Sequence, residues 1–319
     1  MQVLLIGLAA GIVSALLFVA LASGSALSVA LFYLAPLPIM LAGLGWSHVA
    51  ALTATLTAAA GLGIGVGFWF ILAFLGGVGV PAYVLSYLTM LARPGSNGEY
   101  EWYPIGRVVL AAAILAAIAM ALTIPVFGLD IDTYRAGLKE VFGRVLRLQF
   151  GIAEGQPLTL PNGGSPERAL AVLVVVMPPL AAALSMVTYL VNLYIAGRIA
   201  RASGRLARPW PDLSAIAFPF STPLLLLGVL VLSFLHTIVG VTAGVLTACL
   251  LMAYALLGLA VLHHVTRATA LRGLILGVAW GLLIVLGWPV AILALIGLAD
   301  GLLNLRGRLG PPNSNPNQT

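Results

Sequence analysis

The ionisable residues that fall within or beside apolar stretches of this 319-residue chain are His48, His236, His263, His264 and Asp300. Lipid neither solvates nor neutralises such a group, so an intramembrane charge is a functional hypothesis by default. Asp300 stands in "GLADGLLNLRGR", with Asn304 one turn later on the same face and Arg306 beyond. Two roles fit it: an interfacial carboxylate paired with a nearby arginine or helix end, or a polar anchor for a bound molecule. His263 and His264 precede Thr266 and Arg267 and suit the edge of a span, and nothing in the histidine spacing gathers a metal ligand set. There is no G-x-x-x-x-G-K-[ST] phosphate loop, no H-E-x-x-H pair, no G-x-S-x-G elbow and no pair of carboxylates within a span. The expectation is a protein that is not an enzyme, with no ATPase of its own, no cofactor and no metal.

Prolines supply a second kind of candidate. In "FYLAPLPIMLAGLGWSH", Pro36 and Pro38 lack the N–H groups that would serve the carbonyls of Phe32 and Leu34 in a continuous helix. Inside a bilayer those carbonyls need protein, water or a ligand. A Gly-Pro interruption recurs at Gly79 to Pro81, and broken helices point to binding sites in transporters. The expected pocket therefore lies near the second and fourth spans, with Trp69, Tyr83 and Trp280 as walls and Asp300 as its polar group. Core packing accounts for Trp69 and Trp280 equally well. The remaining tryptophans, Trp46, Trp102, Trp210 and Trp288, suit membrane interfaces. Gly7, Gly11 and Ala15 recur every four positions, and Gly61, Gly63, Gly65 and Gly67 crowd the third span. Stripes of small residues let helix backbones approach closely, either within the bundle or against a separate subunit.

The elements that must position these residues are membrane helices. The chain is 61% hydrophobic and 8% charged, with mean hydropathy +1.12, against roughly 25% charged residues in soluble domains. Ten-residue alternating segments, the mark of a membrane barrel, are absent. Apolar runs predict spans near 2–22, 26–46, 49–67, 68–92, 105–127, 168–196, 215–239 and 242–265. A last run, 271–303, would be about 50 Å long as one helix, and "GWP" at Gly287 to Pro289 offers a break into two half-spans or a hairpin. The fold class is all-α, a polytopic bundle of eight to ten membrane segments forming one domain over 1–305, with a disordered polar tail at 306–319. The first run lacks a basic leader and exceeds the usual 7 to 15 apolar residues of a signal peptide, which makes it a retained span. Cys249, alone, leaves the redox compartment open.

The +6 net charge is almost entirely arginine in short connections, a pattern of topology and not of nucleic-acid binding. "GRIARASGRLARPW" carries Arg198, Arg201, Arg205 and Arg208 against Asp212, so it is expected on the cytoplasmic side, with the 93–107 and 267–272 loops and the N-terminus. The 128–167 connection then lies outside. It holds an amphipathic helix over 132–150, capped by Asp132 or Thr133, with Tyr134, Leu138, Val141, Phe142, Val145 and Leu148 on one face. That helix either lies flat on the membrane or covers an outward-facing cavity.

The segments "FYLAPLPIMLAGLGW", "NLYIAGRIAR" and "GLADGLLNLRGR" occur in an order that resembles the YybS-like family of predicted bacterial membrane proteins, a family of unknown function. That family is in turn distantly similar to the substrate-binding S components of energy-coupling-factor transporters. The resemblance implies a compact bundle that binds a small molecule, with Gly7, Gly11 and Ala15 facing a transmembrane coupling subunit. S components have about six spans and this chain has more, and no ligand-contacting motif carries over. The reading is a multi-span protein of the bacterial inner membrane that binds and helps move a small or amphiphilic molecule. The alternative is a scaffold recruiting an envelope or other protein complex, with a small share left for an enzyme acting on lipid.

Overall fold

The protein was described from a computed structural model, which covers residues 1–95, 98–153, 155–159 and 163–309. The helices follow the apolar runs: α1 (Gln2–Val19), α2 (Ala26–Tyr33), α3 (Pro36–Gly45), α4 (His48–Gly65), α5 (Phe68–Phe74), α6 (Val80–Met90) and α7 (Ile105–Ala121). A short α8 (Ile124–Phe127) and the amphipathic α9 (Ile131–Phe150) precede α10 (Pro166–Ala202). The chain then forms α11 (Thr222–Leu232), α12 (Ile238–Val265), α13 (Arg272–Leu286), α14 (Pro289–Leu303) and α15 (Leu305–Leu309). A two-stranded hairpin, β1 (Ala92–Pro94) and β2 (Tyr100–Trp102), joins α6 to α7, with Arg93 opposite Glu101. It was not anticipated from the sequence.

Among the described residues seven helical segments are long and apolar enough to cross a membrane: Gln2–Ser23, Ala26–Gly45, His48–Gly65, Phe68–Met90, Ile105–Phe127, Pro166–Ala202 and Ile238–Val265. Three shorter apolar helices, α11, α13 and α14, bring the apolar segments among the described residues to ten. The unpunctuated boundary between the third and fourth spans falls at Gly67, whose φ of 144° only glycine adopts freely. The last run breaks at Gly287, φ 69°, into two helices of 15 residues each.

Three expectations need correction. The span expected over 215–239 contracts to the 11 residues of α11, because Pro219 and Pro223 delay its start and the chain turns after Ser233. Gly240 then packs so tightly that a Cβ there would lie 1.8 Å from the Leu235 carbonyl oxygen. The cap of α9 is Asp130, whose Oδ1 accepts from the backbone N–H groups of Asp132 and Thr133 at 3.0 Å. Helix resumes at 305 in α15 (Leu305–Leu309), inside the stretch expected as tail, with Arg306 in an ion pair described below; the rest of that stretch, 310–319, lies outside the described residues.

Small residues set the packing. A Cβ on Gly7 would fall 2.6 Å from Thr53 Cβ, and one on Gly11 2.5 Å from the Ala54 carbonyl oxygen. The contacts advance together along both chains, so α1 and α4 run parallel in close backbone contact. α12 and α14 repeat the device: a Cβ on Gly258 would lie 1.9 Å from Leu293 O, and one on Gly297 2.0 Å from Tyr254 O. α13 must therefore return antiparallel, and α13–α14 form a hairpin whose two ends lie with the C-terminus of α12. Buried Ala51, Ala54, Ala58, Ala112, Ala113 and Ala116 fill the centre, where backbones rather than bulky side chains meet.

Candidate functional site

Both helix breaks are closed by protein, and by the same helix. At the first, local turns serve Phe32 O and Leu34 O, which accept from Ala35 N and Leu37 N at 3.0 Å each. That leaves Tyr33 O without its helical donor, and buried Asn192 of α10 supplies Nδ2–H at 2.8 Å. Ser14 of α1, fully buried, donates to Ala35 O at 2.7 Å. At the second break the helix widens into a π turn over Leu75–Gly79, and the Tyr189 hydroxyl donates to Gly77 O at 2.8 Å. Tyr189 and Asn192 are one turn apart on α10, so one face of that helix pins both interruptions. Pro36 is fully buried and Pro38 half-buried; the breaks are junctions of the bundle.

The other sequence-derived candidates are dispersed. Trp69 opens α5, at the end of the bundle where α4 finishes, and is 73% exposed. Tyr83 stacks on Tyr87 with ring centroids 6.2 Å apart. Asp300 is buried and engaged by Arg306, which donates from its backbone N at 3.0 Å and from Nε at 2.9 Å. Arg306 also donates to Ser214 O at 2.8 Å, tying α15 to the 213–215 turn. Of the two roles open to Asp300, the structure shows the paired one. Gly7 and Gly11 are spent on α4, and Ala15 packs against the core, so the stripe presents no open face for a coupling subunit.

The cavity lies elsewhere, at the end where the arginines gather, and of the proposed walls only Trp280 lines it. It is a partly open cavity of about 750 Å³ between α7, α10, α12 and the 206–216 connection. Val108, Val109, Leu190, Leu193, Leu256 and Leu259 make it apolar within, while Arg208, Asp212, His263, Arg267 and Arg272 stand among its lining. α13 forms one wall through Arg272 and Trp280, yet buries no residue of its own and packs on little besides α14 and the turn before it.

Charge at this end is one-sided. Asp212 holds Arg267, whose NH2 lies 2.9 Å from both carboxylate oxygens, and accepts from Ser214 N and Oγ at 3.0 and 2.8 Å. The Ser214 bonds and then Arg267 bring its pKa down to about 2. Arg208 is only 8% exposed, and its one hydrogen bond among the described residues runs from NH1 to Thr89 O at 2.8 Å. Burial lowers its pKa from the usual arginine value. Arg272 donates its backbone N–H to Thr269 O at 3.1 Å, and its exposed guanidinium makes no hydrogen bond or ion pair among the described residues. Around the cavity, arginines lie over tryptophans: Arg205 over Trp46 at 4.5 Å, Arg201 over Trp210 at 5.5 Å and Arg208 over Trp102 at 5.9 Å. Trp46 Nε1 is buried without a partner among the described residues.

The sequence held a signal for this site that periodicity does not read. "GRLARPWPDL" is a connection that carries Leu206, Trp210 and Leu213 among its arginines, and these side chains form part of the cavity's lining. Among the described residues no three His, Cys, Asp or Glu side chains converge as a metal set. A family model described as "Predicted membrane protein (DUF2232)" matches residues 12–301. No curated protein and no solved structure matches the chain.

Proposed function

The chain belongs to the DUF2232 family of predicted membrane proteins, and from that premise we propose that it binds a small or amphiphilic molecule in the cavity and helps carry it through the bilayer. The observation that carries this reading is the cavity itself: about 750 Å³, lined mostly by apolar side chains with a few charged and polar groups among them. That volume falls within the roughly 300–1,000 Å³ of ligand sites, which are typically apolar with a few placed polar groups. The loosely packed α13 supports passage, because a wall with few internal contacts opens at little cost. The reading includes no hydrolytic step; energy would come from a partner subunit docked away from Gly7 and Gly11. The N-terminus lies at the arginine-rich end, since α1 runs parallel to α4, and we assign that end to the cytoplasm of a bacterial inner membrane by the excess of arginine.

The test is mass spectrometry of molecules retained when the protein is purified in mild detergent, compared with Val109→Trp, which fills the cavity, and Trp280→Ala, which opens its wall. A retained molecule that Val109→Trp expels supports the reading. A molecule-free protein, or one whose retained molecules are unchanged by Val109→Trp, refutes it; a stoichiometric protein partner with no small molecule would favour the scaffold.

A further inference from the structure

We infer that the cavity selects an amphiphile bearing an anionic, phosphate-like headgroup, held by Arg208 and Arg272 while its hydrocarbon chain lies among Val109, Leu193 and Leu259. This rests on the cavity reading above and names its ligand class.

Three observations point the same way. The lining includes three arginines and one carboxylate, and that carboxylate is already occupied by Arg267. Arg208 and Arg272 are therefore left without a counter-charge among the described residues. Arg208 is the sharper case, because a guanidinium carries five N–H donors and this one is more than nine-tenths buried with a single acceptor, Thr89 O. A buried cation lacking an anion is costly, and a phosphate oxygen restores both charge and hydrogen bonds. Burial disfavours the charged form of Arg208, and an anion placed against it would favour that form again. The rest of the lining is mostly apolar, which offers nothing to a free phosphate and accepts a chain. Arg198 and Arg201, by contrast, are exposed and are not part of the lining, although Trp210, over which they lie, is.

Native mass spectrometry in detergent supplies the test, with lysophosphatidic acid, lysophosphatidylcholine of the same chain and inorganic phosphate as probes. Lysophosphatidic acid is expected to bind about tenfold tighter than its zwitterionic counterpart. Arg272→Gln, at an exposed position that does not threaten folding, should remove most of that preference, and Arg208→Gln should remove it further. The pair Arg198→Gln and Arg201→Gln should leave it in place. Equal binding of the two lipids, with both lost in Val109→Trp, would overturn the headgroup assignment while leaving the cavity reading standing. Lipid binding that Val109→Trp does not alter would sink both. Inorganic phosphate competing as well as the lysolipid would show an anion site with no use for the chain, and would equally overturn the inference.

Discussion

Replacing Asn192 by leucine isolates what holds the proline break together. The substitution keeps the side chain's branching and removes Nδ2, which donates to Tyr33 O and Thr188 O at 2.8 Å each. Thr188 O loses little, because it lies four residues back in the same helix and the backbone N–H of Asn192 serves it. Tyr33 O loses its donor outright, since Leu37 N, its partner in an unbroken helix, turns to Leu34 O. An unmade buried bond costs about 1–3 kcal/mol in proteins, and interhelical hydrogen bonds measured in membranes fall at about 0.6–1.7 kcal/mol. Part of this returns, because Asn192 Oδ1 is itself buried without a partner and leucine removes it. The net expectation is a destabilisation of about 1 kcal/mol. Ser14→Ala should cost less: Ala35 is the N-cap of α3, and its carbonyl also takes that helix's first backbone bond. Reversible denaturant titration in detergent, followed by tryptophan fluorescence, ranks the two variants. Asn192→Leu as stable as the parent, or less harmful than Ser14→Ala, would refute the argument that Tyr33 O depends on α10.

Gly258→Val should separate α12 from α14 and abolish cooperative unfolding, whereas Gly277→Ala, with nothing within 4 Å of its added Cβ, should be neutral or stabilising by up to about 1 kcal/mol in the same titration. Asp300→Asn strands Arg306, which is 15% exposed, and should cost about 3–5 kcal/mol; Asp300→Asn with Arg306→Gln should cost less than either single change, a sign readable in a double-mutant cycle. Asp212 has its pKa held down at about 2, below its ordinary 3.8, so its contribution to stability is complete above pH 3.8 and is lost as pH falls through 2. Parent and Asp212→Asn should therefore differ in melting temperature at neutral pH and converge towards pH 2.

Composition determined that this chain is a helical membrane protein, and local punctuation marked several of the places where its helices stop, though not the turn after Ser233. The breaks at Pro36, Gly67 and Gly287 fall where glycine or proline stands, and at Gly79 and Pro81 the helix widens into a π turn without stopping, because backbone dihedrals and missing donors are properties of one or two residues. The partners of those breaks were beyond reach of that reading. Asn192 meets Tyr33 across 159 residues and Tyr189 meets Gly77 across 112, and apolar periodicity within a turn says nothing of contacts at such separation. The same limit displaced the site. Broken helices marked by prolines suggested a chamber, but α10 filled them, and the open volume arose where the 206–216 connection fails to close against α7 and α12. Whether a freed carbonyl finds a ligand or a neighbouring side chain is settled by which helices are brought alongside it, and only the tertiary structure makes that choice.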